Sequence, residues 1–283
     1  MEKQKILVLG GKGMLGSALV PFLAAQSSWQ VFTHSQRERA DYTSDLSVYE
    51  NVKELLLQSR PDYVVNLLAL TDVDLCERER ELAYKLNVAP LKNLARCSLK
   101  DSIPFKLVHI STDHVYDSKL AKESDVKIVN HYALTKYLGD EMAGLCNAVV
   151  LRTSFFGVAT EKKKSFSDWV LETLKANKPI NGFDDIYFSP VHSTTLCQGI
   201  ERSISQFHPG VYNLGSNQGM SKYEFIVELA RLHGLNESLV KPVNYKNVAL
   251  TTPRPRDMRM DVSAYETKFK VKLPTLHEEI RKC

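Results

Sequence analysis

Short runs of apolar residues alternate with amphipathic stretches along the first half of the chain. The runs Ile-Leu-Val-Leu, Val-Val-Asn-Leu-Leu and Val-Val-Leu are almost wholly apolar, which is typical of strands covered on both faces of a parallel sheet. We predict strands over residues 5–9, 30–33, 63–68, 106–111 and 148–152, and helices over about 13–26, 47–59, 79–99 and 131–144. This succession of βαβ units predicts an α/β fold with a Rossmann-type, doubly wound parallel sheet. Pro21 lies inside the first helix and should kink it or end it early.

The regular alternation stops at about residue 155. Beyond it the pattern predicts helices near 165–176, 194–205 and 222–232, a strand over 210–215 that ends in a glycine turn, and a short helix after Pro274. We therefore predict a dinucleotide-binding domain over residues 1–155, to which parts of 190–215 return. Residues 156–283 should form a smaller α+β lobe that binds mainly the substrate.

The composition is that of a globular protein and excludes several classes of partner. The 37 basic and 33 acidic residues are scattered along the chain, so we expect no nucleic-acid-binding face, and the densest basic cluster, residues 162–164, reads as a solvated loop. No segment reaches the roughly 18 apolar residues of a membrane-spanning helix. The first apolar run is too short for a signal peptide, so we expect a cytoplasmic protein. The five cysteines form no CxxC pair and have no histidine at metal-ligand spacing, which predicts reduced thiols and no metal site.

A glycine-rich turn joins the first predicted strand to the first helix. The glycines Gly10, Gly13 and Gly16 follow a strand, and Met14 and Leu15 open an apolar helix. Such a turn lets the backbone approach a pyrophosphate while the helix N-terminus offers amide donors. A plain connection between a strand and a helix is the alternative, but the position of the motif favours a dinucleotide site.

The end of the second predicted strand indicates which dinucleotide is bound. An NAD site usually places an acidic residue there to hold the ribose hydroxyls. This chain has instead the run Thr-His-Ser-Gln-Arg-Glu-Arg over residues 33–39, in which polar and basic residues come before any acid. We therefore predict NADPH, with Ser35 and Arg37 as contacts of the 2′-phosphate. NADH stays open as the alternative, since the arginines could simply be solvated.

A tyrosine and a lysine lie four residues apart at the start of the fourth predicted helix. Tyr132 and Lys136 should therefore share one face, about one turn apart. An ammonium group beside a phenol lowers its pKa from roughly 10 toward neutrality, which makes the tyrosine a usable general acid. The spacing alone is common by chance. Thr112, at the end of the strand before this helix, adds a hydroxyl at the edge where such sheets bind ligands, so we predict these three residues as catalytic.

Together these features resemble the extended short-chain dehydrogenase/reductase superfamily and, within it, the dTDP-4-dehydrorhamnose reductase family. Further matching segments are residues 45–46, 66–77, 86–88, 110–117, 132–140, 151–157, 189–190 and 254–261. The resemblance implies a reductase of deoxysugar and polysaccharide precursor biosynthesis. Its activity would be transfer of hydride from NADPH to the 4-keto group of a nucleotide-linked 6-deoxy sugar.

The resemblance also implies roles for individual residues. Catalysis falls to Thr112, Tyr132 and Lys136. The implied cofactor contacts beyond the glycine turn are Asp45, Leu46, Ala69, Thr71, Asn87, Tyr132 and Lys136, and the implied substrate contacts are Thr71, Asp113, His114, Phe155 and Arg254. The chain departs from the family pattern at Leu67, Leu68, Ala133, Asp140 and Met258, none of which removes a catalytic group.

Two other functions remain compatible with the sequence. One is a nucleotide-sugar epimerase or dehydratase of the same superfamily that retains NAD. The other is a non-catalytic, NADP-binding regulatory subunit, although the Thr112, Tyr132 and Lys136 set has no evident use there. The sequence leaves a homodimer open and does not specify the sugar nucleotide.

Overall fold

The computed structural model describes residues 3–158, 160 and 164–283, which form two compact units. Unit 1 contains the residues up to Thr112, Asn130–Arg152 and Cys197–Tyr212. Unit 2 contains Asp113–Val129, the described part of Thr153–Leu196, and Asn213–Cys283. Of the predicted basic loop over residues 162–164, the first two positions lie outside the described residues. The sequence-based boundary at residue 155 lies close to the end of the second segment of unit 1, whereas residues 113–129 belong to unit 2.

The elements of the first half alternate between strands and helices. In chain order they are β1 (Gln4–Leu9), α1 (Met14–Ala24), β2 (Trp29–Ser35), β3 (Tyr42–Thr43), α2 (Tyr49–Ser59), β4 (Tyr63–Asn66), α3 (Val73–Arg78), α4 (Arg80–Asn87), α5 (Ala89–Leu99), β5 (Lys106–Ile110), α6 (His131–Gly144) and β6 (Val149–Thr153).

The second half contains shorter strands. In chain order its elements are β7 (Phe155–Phe156), α7 (Phe166–Lys175), β8 (Ile180–Phe183), β9 (Tyr187–Phe188), β10 (Val191–His192), α8 (Ser193–Ser205), β11 (Gly210–Leu214), β12 (Met220–Ser221), α9 (Lys222–Leu232), β13 (Val240–Val243), β14 (Asp257–Met258), α10 (Ser263–Phe269) and α11 (Leu276–Ile280).

A seven-stranded sheet organises unit 1, with the strand order β11-β6-β5-β4-β1-β2-β3. The pairs from β3 through β6 are parallel. Strand β1 lies next to both β2 and β4, so the chain order reverses there, and open sheets of this kind bind ligands at such a reversal. Apolar side chains of β1, β4, β5 and β6 pack with those of α2 and α5 in a buried core. The predicted Rossmann-type α/β fold is confirmed.

Within unit 1 the structure differs from the sequence prediction in three places. The helix predicted over residues 79–99 is two helices, α4 and α5, because Pro90 lies in the first turn of α5, where its missing N–H group is not needed. Helix α1 does not end at Pro21 but continues to Ala24. The short elements β3 and α3 were not predicted, since neither is long enough to show a hydrophobic period.

Unit 2 is built from small sheets around an aromatic core. Strand β9 pairs with β12 and β14, β8 pairs with β13, and β7 pairs with β10. The Phe225 ring on α9 lies 5.0 Å from the ring of Phe156 and 5.2 Å from that of Phe188, between ring centroids. These contacts bury the apolar faces of strands too short to be stable alone.

No helix in the described part of the chain is long and apolar enough to cross a membrane. The cytoplasmic location stays a prediction.

A buried carboxylate fixes the last helix within unit 2. Glu279 on α11 is fully buried and accepts hydrogen bonds from the His192 backbone N–H at 2.7 Å and the Thr195 hydroxyl at 2.8 Å. The Lys282 ammonium lies 3.0 Å from the same carboxylate. Because a buried carboxylate is costly without such donors, these contacts determine where α11 can pack.

We expect Glu279→Ala to lower the free energy of unfolding by about 3 kcal/mol, because it leaves buried donors without an acceptor. The measurement is urea denaturation followed by circular dichroism. Arg281→Ala is the matched control, because Arg281 is exposed at the end of the same helix and its loss should cost less than about 0.5 kcal/mol. Equal losses in the two variants would contradict this role of Glu279.

Candidate active site

The glycine turn has the geometry that a pyrophosphate requires. Gly10 has a φ of +78°, and the N–H groups of Gly10 and Gly11 donate to the His34 carbonyl at 3.0 and 3.1 Å, which ties the turn to the end of β2. A Cβ atom on Gly16 would lie 2.5 Å from the Gly11 carbonyl oxygen, so only glycine allows this approach of α1 to the turn. Helix α1 begins at Met14, and its first N–H groups form an anion site of the expected kind.

A cavity of about 190 Å³ in unit 1 is lined in part by His34 and Leu68, which both lie against Gly10 of this turn. Its lining includes the predicted cofactor residues Asp45, Leu46 and Ala69, together with His34 and Lys85. The Lys85 ammonium lies 3.0 Å from the Asp45 carboxylate. Burial opposes ionisation of Asp45, but hydrogen bonds from Ser47 and Lys85 outweigh it and lower the pKa of Asp45 below its ordinary value. The cavity therefore has an apolar wall and a charged rim, which suits an adenine ring and its ribose.

Sequence reasoning missed Lys85 as part of this cavity. It lies on α4, two positions before Asn87, and no spacing rule links it to the end of β2. Only the packing of α4 in the folded unit brings it to Asp45.

The Asp41 carboxylate, near the end of β2, is hydrogen-bonded to Thr33. Asp41 accepts hydrogen bonds from the Thr33 backbone N–H at 2.8 Å and the Thr33 hydroxyl at 2.7 Å, and this hydroxyl is the main cause that lowers the pKa of Asp41. Ser35 is buried and its hydroxyl accepts from the Glu38 N–H at 3.2 Å. Arg37 is exposed. A ribose phosphate at this edge would meet a cation and a hydroxyl.

Helix α6 positions the predicted catalytic pair. The side chain of Asn130 accepts from the Ala133 N–H at 2.9 Å and caps the helix, so Tyr132 falls in its first turn and Lys136 one turn later. Tyr132 packs against Cys76 and Ala83 and is only 7% exposed.

Lys136 is almost completely buried, and its ammonium donates to the Ile110 carbonyl at 2.8 Å. Burial lowers the pKa of Lys136 to about 8, against the opposing charge of Asp140. A lysine with this pKa is still mostly charged at pH 7 and can favour the ionised form of a neighbouring phenol.

Asn87 links the loop after β4 to the catalytic helix. Its side-chain oxygen accepts from the Leu70 N–H at 2.7 Å, and its amide nitrogen donates to the Leu70 carbonyl at 3.2 Å and the Thr135 hydroxyl at 3.0 Å. The Thr135 hydroxyl donates in turn to the Tyr132 carbonyl at 2.9 Å. Asn87 is 2% exposed, so the structure shows it as a tether, and its predicted contact with the cofactor stays a prediction.

The remaining predicted residues of unit 1 lie at the same edge of the sheet. Thr112 follows β5 and is 4% exposed, whereas Ala69 and Thr71 follow β4 and are exposed. Because β4 and β5 are parallel neighbours, their carboxyl ends meet at one edge. The structure thus brings the predicted catalytic and loop residues of unit 1 to the edge that such sheets use for ligands.

The predicted substrate residues of unit 2 share a charged environment that includes Lys222, which sequence reasoning missed. Burial is the main cause that lowers the pKa of His114 to about 3, and the charges of Lys222 and Arg254 add to it. The Lys222 ammonium lies 4.2 Å from the ring centroid of Phe188 and 4.8 Å from that of Phe166. Burial lowers the pKa of Lys222, and the charge of Asp113 opposes this. His114 is therefore a neutral side chain beside two cations.

Phe155 lies on β7 in unit 2 and is half-buried. Lys222 follows a capping serine, and in the sequence it looks like an ordinary polar residue at a helix start. No group of three or more histidine, cysteine, aspartate or glutamate side chains that could hold a metal ion occurs among the described residues.

Known proteins similar to this chain include two reductases and a methionine adenosyltransferase subunit. The probable low-salt glycan biosynthesis reductase Agl14 of Haloferax volcanii is 29% identical over 96% of this chain and 95% of its own. The dTDP-4-dehydrorhamnose reductase of Escherichia coli K12 is 27% identical over 95% of this chain and 93% of its own. The methionine adenosyltransferase 2 subunit beta of Xenopus laevis is 28% identical over 94% of this chain and 83% of its own.

A solved structure shares the fold over nearly the whole chain. It is the dTDP-4-dehydrorhamnose reductase of Bacillus anthracis in complex with NADP, with a TM-score of 0.90, 23% identity, and coverage of 99% of this chain and 98% of that one. The family model described as RmlD substrate binding domain matches residues 4–283. This chain therefore belongs to the RmlD substrate binding domain family.

Proposed function

We propose that this protein is an NADPH-dependent reductase that reduces the 4-keto group of a nucleotide-linked 6-deoxy sugar. The observation on which this depends is the pair of buried side chains Tyr132 and Lys136, held one turn apart on a capped helix. The names of the similar reductases from Haloferax volcanii and Escherichia coli support the same class of reaction.

The cofactor supplies a hydride, and the protein supplies the proton and the alignment. As the carbonyl carbon is reduced, negative charge builds on its oxygen. Tyr132 donates a proton to that oxygen, and the Thr112 hydroxyl donates a hydrogen bond to it. Lys136 binds the ribose hydroxyls next to the nicotinamide and favours proton release from Tyr132 through its positive charge.

The cofactor site in unit 1 fits a dinucleotide with a 2′-phosphate. The close approach at Gly16 leaves the first turn of α1 open to the pyrophosphate, and the cavity beside Asp45 and Lys85 accepts the adenosine. At the end of β2 hydrogen bonds from Thr33 hold the Asp41 carboxylate, and the exposed Arg37 guanidinium supplies a positive charge for a phosphate that Ser35 and Arg37 would hold. These observations favour NADPH over NADH.

We assign the diphosphate of the substrate to two cations of unit 2. Lys222 and Arg254 both act on His114, and the neutral form of His114 adds no charge of its own. An anion of two phosphates would satisfy both cations. Phe155 would then contact the sugar, as the family resemblance implies.

The similarity to the methionine adenosyltransferase subunit supports the alternative of a non-catalytic subunit. A regulatory subunit would bind NADP without net oxidation of NADPH, and a retained-cofactor epimerase would return its hydride. Turnover therefore separates these functions from a reductase.

The purified protein should oxidise NADPH, followed by absorbance, with at least one member of a panel of dTDP-, GDP-, CDP- and UDP-linked 4-keto-6-deoxy sugars.

Tyr132→Phe should lower kcat by about 10³-fold while NADPH binding changes little, because only the proton donor is lost. Tyr137→Phe is the matched control and should keep its activity. Near-normal turnover by Tyr132→Phe would contradict the assignment, and tightly bound NAD with no net NADPH consumption would favour the epimerase. Co-purification with a larger partner and no turnover would favour the regulatory subunit.

Arg37→Ala should raise the KM for NADPH about tenfold and leave the KM for NADH unchanged, because it removes one charge-assisted contact with the 2′-phosphate. The measurement is steady-state kinetics with each cofactor. Arg60→Ala is the control, since Arg60 precedes β4 and lies at the opposite edge of the sheet. Equal changes for the two cofactors would show that Arg37 does not contact the phosphate.

Lys222→Met should raise the KM for the sugar nucleotide by about 10- to 100-fold, because an ionic hydrogen bond to phosphate is lost while the apolar stem still packs on the phenylalanine rings. NADPH affinity, measured by fluorescence, should not change. Lys241→Met removes an exposed lysine of β13 and serves as the control. An unchanged KM in Lys222→Met would contradict a contact between Lys222 and the diphosphate and would show that the side chain only packs on the phenylalanine rings.

A further inference from the structure

A chain of buried polar groups lies next to Lys136 in unit 1. Asp140 follows Lys136 by one turn of α6, and its carboxylate accepts from the Arg152 guanidinium at 2.9 Å. The Nε2 atom of His109 on β5 lies 3.6 Å from the other carboxylate oxygen. The side chains of His109, Asp140 and Arg152 are at most 3% exposed. Burying charged groups costs desolvation free energy, which their mutual contacts must offset.

The contacts of Asn66 determine which nitrogen of His109 is protonated. The Asn66 side-chain oxygen accepts from the Leu68 N–H at 3.3 Å, so its amide nitrogen is the group that faces His109 Nδ1 at 3.0 Å. Because an amide nitrogen donates, His109 Nδ1 accepts and the ring proton lies on Nε2. That proton faces Asp140. The chain therefore runs from the Leu68 backbone through Asn66 and His109 to the carboxylate.

The charges in this cluster are arranged around one carboxylate. Burial, and then the charge of Lys136, lower the pKa of His109 well below its ordinary value, so the ring is neutral. The pKa of Asp140 is raised, with burial as the main cause, whereas the charge of Arg152, the Ser111 hydroxyl and the charge of Lys136 favour its ionised form. The Arg152 guanidinium lies 2.9 Å from the carboxylate, so the ionised form fits the site. Lys136, one turn away on α6, is the second cation near this anion.

We propose that Asp140 is a positioning residue that keeps Lys136 charged during turnover, while Arg152 and His109 hold its carboxylate in place. This inference rests on the proposed function for its consequence in catalysis, but the effect on Lys136 is a property of the fold. Asp140 does not touch the substrate or the cofactor site. It acts through the lysine.

The charged and titratable groups around Lys136 come from three elements. Tyr132 and Asp140 lie one turn before and after it on α6, His109 lies on β5 and Arg152 on β6. Helix α3, which also packs on α6, places Glu77 at the other end of the helix, where it accepts from the His131 N–H at 3.1 Å. Asp140 is the group among these whose negative charge raises the pKa of Lys136.

The sign of the effect follows from these contacts. Burial lowers the pKa of Lys136 to about 8, and the charge of Asp140 limits this fall. Without that charge the pKa of Lys136 falls further, and the lysine becomes neutral at a lower pH. A neutral Lys136 no longer favours proton release from Tyr132, so activity is lost as pH rises through the new, lower pKa.

The test is the pH profile of kcat/KM from pH 6 to 9.5 for Asp140→Asn. We expect its alkaline limb to move to lower pH by about one unit, with roughly fivefold lower activity at pH 8 and little change at pH 6. Asp140→Glu should restore the native profile, because it restores the charge. Glu141→Gln removes an exposed carboxylate from the neighbouring position of the same helix and should leave the profile unchanged. A loss of activity that is equal at every pH would overturn the proposal, since a merely structural role predicts it.

A second variant and a binding measurement also test the role of Asp140. If Asp140→Asn does not fold, Ser111→Ala should move the limb in the same direction by a smaller amount, because the Ser111 hydroxyl lowers the pKa of Asp140 and so favours the carboxylate. An unmoved limb in that variant would overturn the proposal. The pH dependence of NADPH affinity, measured by fluorescence, should shift in parallel. If the unmodified protein reduces no keto sugar, the proposed function fails, while a shifted binding profile in Asp140→Asn would still support the role of Asp140.

Discussion

The structure depends on keeping the Lys136 ammonium charged in the interior of unit 1. An isolated buried ammonium would lose its proton, because the low-dielectric interior stabilises charge poorly. The Ile110 carbonyl accepts its hydrogen bond, and Asp140 provides the nearby negative charge. Both groups are available because α6 begins at the Asn130 cap and packs against β5, with Asp140 paired to Arg152 of β6. The proton-donating tyrosine in the first turn of α6 benefits from the same placement.

The loop after β4 is fixed by amide side chains at both of its ends. Asn66 binds the Leu68 N–H, and Asn87 binds both backbone groups of Leu70. Each amide also contacts an element that surrounds Lys136. Asn66 contacts His109 of β5, and Asn87 donates to Thr135 of α6. A loop held in this way can line a cofactor site without support from regular secondary structure. The position of the loop and the orientation of α6 are therefore coupled through hydrogen bonds, and neither can shift alone without leaving buried groups unpaired.

The sequence predicts the parts of this arrangement that depend on local order. The strand and helix periods give the sheet, and the glycine spacing gives the turn, since both are set by neighbouring residues. Lys85 and Lys222 could not be found in this way, because each reaches its partners through tertiary packing. The family resemblance implied Asn87 as a cofactor contact, whereas its hydrogen bonds to Leu70 and Thr135 arise from tertiary packing. The break between α4 and α5 was foreseeable from Pro90. The helix predicted over residues 13–26 already contained Pro21, and α1 continues past it to Ala24, since tertiary packing can outweigh one missing hydrogen bond.

Two departures from the family pattern, Leu68 and Asp140, lie at opposite ends of the same buried chain. Where the family usually has glutamate, the shorter Asp140 leaves 3.6 Å between its oxygen and His109 Nε2, longer than a hydrogen bond. At the other end, the bulky Leu68 packs against Gly10 of the phosphate turn, where a Cβ atom on that glycine would meet its side chain at 3.2 Å. The shorter carboxylate of Asp140 and the bulky side chain of Leu68 are thus linked through Asn66 and His109. The effects of substitutions at the members of such a network are expected to be non-additive.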